Sequence, residues 1–313
     1  MAPTVLPYQN FKDEEDAQLL KDAMDGLGTN EEAIIQILSK RTNEQRRMIA
    51  NTYKTMFGED LIDDLKSELG GHFEDVIMAL LEEPVEYQVK ELRNAISGMG
   101  TDDCTIVEIL SVHNNEEVLQ IANRYQEKYE SSLEEDIKSD ESGTLERLLV
   151  SLSTGNRDES YAVDKNAAII DAQALYDAGE GTLGTEESVF NAILCTRSRV
   201  QAKLIFEQYE AITGHSIEEA IDNEFSGTTK DAILGLVSCL KDRTTYLATR
   251  LHDAMSGLGT TDKTLIRIIV SRSEIDLEEI KNAYEAKYET NLAERISNDT
   301  SGDYSKILLA IVN

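Results

Sequence analysis

The chain has 313 residues, 41% of them hydrophobic, with 3 prolines and no tryptophan, and its 60 acids against 30 bases leave a net charge of −30. That charge repels nucleic acid and any bare anionic surface, so an anionic partner requires a cation in between. Cys104, Cys195 and Cys239 form neither a disulfide framework nor a zinc pattern, the N-terminus shows no signal segment, and no run approaches the ~18 apolar residues of a spanning helix, which together predict a soluble cytosolic protein.

Residues 1–12, with Pro3 and Pro7, read as a short tail. From Asp13 onward Ala17, Leu20, Ala23 and Met24 recur at helical spacing and predict a first helix that stops at Gly26-Leu27-Gly28. Thr29, with Glu32 three residues on, predicts a capping box for a second helix. Its body, Ala33-Ile34-Ile35-Gln36-Ile37-Leu38, is apolar nearly all round and should be buried. The third helix is longer and one-faced, as in Val118, Ile121, Ala122, Tyr125 and Tyr129 of a second copy. A short fourth helix carrying Leu61, Ile62 and Leu65 ends at Glu68, and the turn Glu68-Leu69-Gly70-Gly71 opens a fifth at Val76-Ile77-Met78-Ala79-Leu80-Leu81.

This order is written four times. The loop returns as Ile96-Ser97-Gly98-Met99-Gly100-Thr101, as the longer Ala178-Gly179-Glu180-Gly181-Thr182-Leu183-Gly184-Thr185, and as Met255-Ser256-Gly257-Leu258-Gly259-Thr260. Forty residues after the last glycine of each loop stands an acid: Glu68, Asp140, Glu224 and Asp299. The spacing between loops drifts, from 72 to 84 to 75 residues, while the spacing within a module is kept. The prediction is an all-α fold of four repeats with five helices each, at 13–83, 84–155, 166–241 and 242–313, with a polar linker at 156–165.

Glycines at alternate positions let backbone carbonyls turn inward, so each loop can present several oxygens to one point. Calcium accepts carbonyls plus a carboxylate, and the proposed geometry is three loop carbonyls, one acid from across the module, and water for the rest. Such a site binds weakly by itself, and its water positions are open to a lipid phosphate, so that calcium and an anionic membrane raise each other's affinity. Four loops on one face would add avidity. A nucleotide phosphate loop is disfavoured because no Lys-Ser/Thr follows the glycines, and no EF-hand pattern occurs.

From Asp13 to Asn313 the chain resembles the annexin family, on the four five-helix repeats and the Gly-x-Gly-Thr loops paired to distant acids. The resemblance implies a slightly curved disc with the loops on its convex face, calcium-dependent binding to acidic phospholipids, and trimers on the membrane. Carried over by residue, it implies calcium ligands at Met24, Gly26, Gly28 and Glu68; at Ile96, Gly98, Gly100 and Asp140; at Gly179, Thr182, Gly184 and Glu224; and at Met255, Gly257, Gly259 and Asp299. Where many annexins place a lysine or arginine before the first loop glycine, this chain has Asp25, Ser97 and Ser256, which leaves Lys66 and Lys138 as the candidates for lipid phosphate. Glu91, Arg267 and Asp276 match the family's central polar residues, which are read here as a paired structural network, with His113 standing where an arginine is usual.

The reading is therefore a non-enzymatic protein that is cytoplasmic and peripheral on membranes when calcium rises. His72, His113, His215 and His252 are scattered, with no nucleophile motif beside them. The rival reading is a calcium-independent helical scaffold for protein partners.

Overall fold

The computed structural model describes residues 2–26, 28–97, 100–257 and 259–313, and among these it holds twenty α-helices and no strand. The fold is all-α, five helices to a repeat. The first helices run Asp13–Met24, Pro84–Ser97, Lys165–Ala178 and Arg243–Ala254, and each leads into a glycine loop. The second run Glu31–Leu38, Asp103–Val112, Glu187–Thr196 and Asp262–Arg272, and the third Asn43–Phe57, Asn115–Tyr129, Arg199–Thr213 and Leu277–Tyr288. The fourth, Leu61–Glu68, Leu133–Asp140, Ile217–Glu224 and Leu292–Asp299, each end on the offset acid. The fifth, Gly71–Leu81, Gly143–Ser153, Gly227–Lys241 and Gly302–Val312, each start three residues later.

The chain divides into two compact units, one built from Met1–Pro84 with Leu247–Asn313 and the other from Val85–Tyr246. The first and fourth repeats thus share one unit, and the second and third share the other.

The expected burial of the second helix is fullest in the second repeat, where in Asp103–Val112 every residue but Cys104 is buried, whereas Glu187–Thr196 of the third keeps Ser188 and Ala192 exposed. The third helix buries one tyrosine placed 24 residues after the loop threonine: Tyr53, Tyr125, Tyr209 and Tyr284, each at most 1% exposed. Burying such a ring contributes on the order of 2 kcal/mol, provided the hydroxyl is satisfied. Tyr53 donates to Asp64 at 2.6 Å, Tyr125 to Asp136 at 2.6 Å and Tyr209 to Glu180 at 2.8 Å.

The tail is a strap between the repeats of its own unit. The Thr4 and Val5 amides donate to the Ser273 carbonyl at 2.8 and 3.0 Å, and the Glu278 amide to Ala2 at 3.0 Å. At its other end Tyr8 and the Gln45 side chain exchange two hydrogen bonds, at 3.0 and 3.2 Å, and Val5 between them is buried.

Candidate metal centres

Each loop is pinched shut by one repeated bond. The amide two residues past the last glycine donates to an alanine carbonyl at the end of the first helix: Asn30 to Ala23 at 2.8 Å, Asp102 to Ala95 at 2.9 Å, Glu186 to Ala178 at 2.6 Å and Thr261 to Ala254 at 2.7 Å. Closing so short a ring forces left-handed backbone, and Gly26, Gly28, Gly257 and Gly259 lie at φ of 115, 90, 96 and 92°. A side chain there would be strained, which is why glycine recurs at these points. The third loop closes across one more residue, and Gly184 keeps the same φ of 89°.

The acids meet the loops through the threonine. Thr29 donates to Glu68 Oε2 at 2.9 Å, Thr101 to Asp140 Oδ2, Thr185 to Glu224 Oε2 at 2.6 Å and Thr260 to Asp299 Oδ2 at 2.5 Å. The contact crosses 39 residues each time. It also overturns the expected role of Thr29 as helix cap. Asn30 takes that position, its side chain accepting from the Ala33 amide at 3.1 Å, and Asp102 does the same for Thr105 at 3.0 Å. The threonine hydroxyl is spent on the acid, and the cap moves one residue along. These four threonines are the site residues that sequence reasoning missed; the signal was a threonine kept in all four loops while the residue after it varied among Asn, Asp, Glu and Thr.

The donor set fits a hard cation. Among the described residues no hydrogen bond is donated to the carbonyls of Met24, Gly26 and Gly28, of Ile96 and Gly100, of Thr182 and Gly184, or of Met255, Gly257 and Gly259. Gly179 differs, its carbonyl accepting from the Thr182 amide at 3.1 Å. Gly98 lies outside the described residues. An added Cβ on Gly179 would stand 3.3 Å from Glu224 Cγ, so the acid's stem packs against the start of its loop. Asp299 also lies 3.8 Å from Arg295, a half-exposed pair. Among the described residues no group of three or more His, Cys, Asp and Glu side chains could hold a metal, so a cation here relies on carbonyl oxygens and one carboxylate.

Of the two lysines singled out, Lys138 pairs with Glu134, whereas Lys66 is exposed with no carboxylate in ion-pair range among the described residues.

Of the expected polar network, His113 falls in a row twelve past each loop threonine, Arg41, His113, Arg197 and Arg272, and Asp276 pairs with a member of that row, whereas Glu91 and Arg267 lie outside it. Arg41 makes a bidentate pair with Asp16 and Arg197 with Asp171, both at 2.6 Å at their shortest. In the second repeat the acid's position, thirteen before the threonine in the first repeat and fourteen in the longer-looped third, is Gln88, and His113 Nδ1 lies 2.7 Å from the Ile109 carbonyl instead. In the fourth that position is Leu247, and Arg272 takes Asp276, four residues on, at 2.6 Å. His113 therefore goes with the loss of the acid. Arg267 is 2% exposed and reaches Thr264 Oγ1 at 3.4 Å, while Glu91 sits half-buried on its first helix.

The second repeat has one strained carboxylate. Asp103, 7% exposed, has an Oδ1 with no hydrogen-bond partner, and burial, reinforced by Glu141, Asp102 and Asp140, pushes its carboxyl up to about 6.

A family model described as Annexin matches residues 15–80, 87–152, 170–236 and 246–311. Annexin A11 of Homo sapiens is 49% identical over 308 residues, a match covering 98% of this chain and 61% of that protein, so the chain spans about three-fifths of this relative's length. Among solved structures, annexin III superposes with a TM-score of 0.96 at 41% identity, covering 100% of this chain and 97% of that one. A calcium-bound annexin (Sm)1 superposes with a TM-score of 0.86 at 33% identity, covering 100% and 93%. The chain belongs to the annexin family. Calcium-dependent phospholipid binding is the general property of that family.

Proposed function

We propose that this protein binds anionic phospholipid membranes when calcium rises, through four separate centres made from loop carbonyls and one distant carboxylate each. The repeats are taken at 13–83, 84–155, 166–241 and 242–313, each supplying the ligands named above, with Gly98 included in the second set. Bound calcium supplies positive charge and exchangeable coordination positions for a lipid phosphate oxygen. The chain's part is to hold carbonyls and acid together: the glycines fold the loop back, the alanine carbonyl closes it, and the threonine steadies the carboxylate. The observation that carries this reading is the threonine-to-acid contact repeated in all four loops.

The charge balance supports the same mechanism. With a net charge of −30 the protein is repelled by an anionic bilayer, so attachment depends on the cation. Lys66, exposed and two residues before Glu68, is the candidate contact for lipid phosphate beside the first centre. Leu183, fully exposed at the tip of the third loop, adds an apolar contact at the membrane boundary. The role is non-enzymatic, cytoplasmic and reversible, with organisation or bridging of membranes as its outcome and trimers as its surface assembly.

Replacing Glu68, Asp140, Glu224 and Asp299 together by alanine tests this reading in a vesicle flotation assay. Calcium-dependent flotation with phosphatidylserine vesicles is lost in the variant if the centres act as described. Retained flotation would refute the carboxylates' role.

A further inference from the structure

A cleft of about 610 Å³ opens in the unit Val85–Tyr246, between residues 155–161 and the helix ends near Val112, Ser198 and Arg243. In a strongly acidic chain it is lined by three arginines, Arg157, Arg199 and Arg243. Their guanidinium groups are oriented by backbone carbonyls. Arg157 Nη1 donates to Arg197 at 2.8 Å, Arg199 Nη1 to Cys239 at 3.0 Å and Nη2 to Ser111, and Arg243 Nη1 to Val112 at 3.3 Å.

A carbonyl dipole orients a guanidinium without cancelling its charge. Among the described residues no carboxylate lies within ion-pair distance of Arg157 or Arg199. The two acids at the rim are turned to local backbone: Asp158 accepts from the Ser160 amide and hydroxyl, and Glu159 from the Asn115 amide at 2.8 Å. Burial, with Arg199 close by, holds the Arg157 guanidinium below its usual value.

The other unit shows what is missing. Fourteen residues past the loop threonines stand Asn43, Asn115, Arg199 and Glu274. Where the first and fourth repeats meet, Glu274 accepts from the Asn43 amide at 2.7 Å and lies 3.4 Å from Arg46. Where the second and third meet, the corresponding positions are Asn115 and Arg199, so an acid has been exchanged for an amide and an arginine added. Gln88, in place of the acid found at Asp16 and Asp171, removes another negative charge from the second repeat.

We propose that this cleft binds a small soluble polyphosphate, its oxygens received by Arg157 and Arg199. A guanidinium presents five N–H donors in a fork that matches phosphate geometry; Arg157 makes one hydrogen bond here and Arg199 three, the third a long one to Cys239 Sγ at 3.5 Å, so each keeps donors for a ligand. The volume falls within the few hundred Å³ usual for small-molecule sites. The shared chemistry is the phosphoanhydride, found in inorganic pyrophosphate and in nucleoside triphosphates.

The test is calorimetric titration of the full chain in EDTA with pyrophosphate and, separately, with ATP. Saturable one-to-one binding of pyrophosphate supports the proposal and identifies the phosphates as sufficient; binding of ATP alone supports it with a contribution from the nucleoside. Arg157→Gln should weaken binding by at least about tenfold. Because Arg157 also holds a helix end, Asn156→Asp is the companion variant: this exposed rim side chain has no hydrogen-bond partner among the described residues, so the fold is kept while a negative charge is added. It too should weaken binding severalfold. Absence of binding to either probe at millimolar concentration, or binding unchanged in Asn156→Asp, would overturn the proposal.

Discussion

Thr260 donates its hydroxyl to Asp299 Oδ2 at 2.5 Å, joining the loop after one helix to the last residue of another, 39 positions away. A carboxylate offers about four lone-pair sites, so this bond holds Asp299 in place and still leaves oxygen free for a cation. In a background with only the fourth centre intact (Glu68→Ala, Asp140→Ala, Glu224→Ala), Thr260→Val should weaken calcium binding roughly three- to tenfold. Calcium calorimetry in the presence of lipid checks it. An unchanged affinity would show that the acid is positioned by something else.

Asp103 makes stability depend on pH. Its carboxyl titrates at about 6 in the folded protein against the usual 3.8, so between these values the folded chain holds more protons than the unfolded one. Stability from this group is therefore present below about pH 4 and lost as pH rises toward 6. Asp103→Asn should raise stability at pH 7 by on the order of 2 kcal/mol, with the difference closing below pH 4. Thermal melts of both proteins from pH 4 to 7 measure it.

The arginine row separates an ion pair from its neutral replacement. Arg41 and Asp16 are both buried, so Asp16→Ala leaves an uncompensated guanidinium and should cost about 3–5 kcal/mol. Gln88 is 5% exposed with an Oε1 that finds no donor. Gln88→Met keeps the volume, removes that orphaned oxygen and should gain on the order of 1 kcal/mol. Urea unfolding midpoints distinguish the two directions.

The tail is expected to act as a clamp on its own unit. Deleting residues 1–8 removes the bonds to Ser273, Glu278 and Gln45 and uncovers the Val5 site, for a loss of roughly 2–4 kcal/mol. Hydrogen exchange should rise at the Glu278 amide first. No change in exchange there would mean the strap is without energetic consequence.

The fold was legible because each repeat states its helices through periodicity and its turns through glycine. The fourth helices end on Glu68, Asp140, Glu224 and Asp299, where the offset placed them. What pattern reading missed was a competition for one hydroxyl. Thr29 has the sequence of a cap, yet a local capping bond lost to a contact 39 residues away, and only the folded chain shows which partner is nearer. The link between His113 and the missing acid at Gln88 was not legible, since 25 residues separate the two positions and only the ion pairs of Arg41 with Asp16 and Arg197 with Asp171 show that they correspond. The grouping of repeats into two units depends on packing between helices far apart in sequence, which no local periodicity records.

The central claim is tested most directly by co-sedimentation of the full chain with phosphatidylserine vesicles across a calcium titration, beside a chelator control and phosphatidylcholine vesicles. The account predicts calcium-dependent pelleting with the anionic vesicles alone, reversed by the chelator. Protein left in the supernatant at millimolar calcium, or pelleted equally with chelator present, would contradict it.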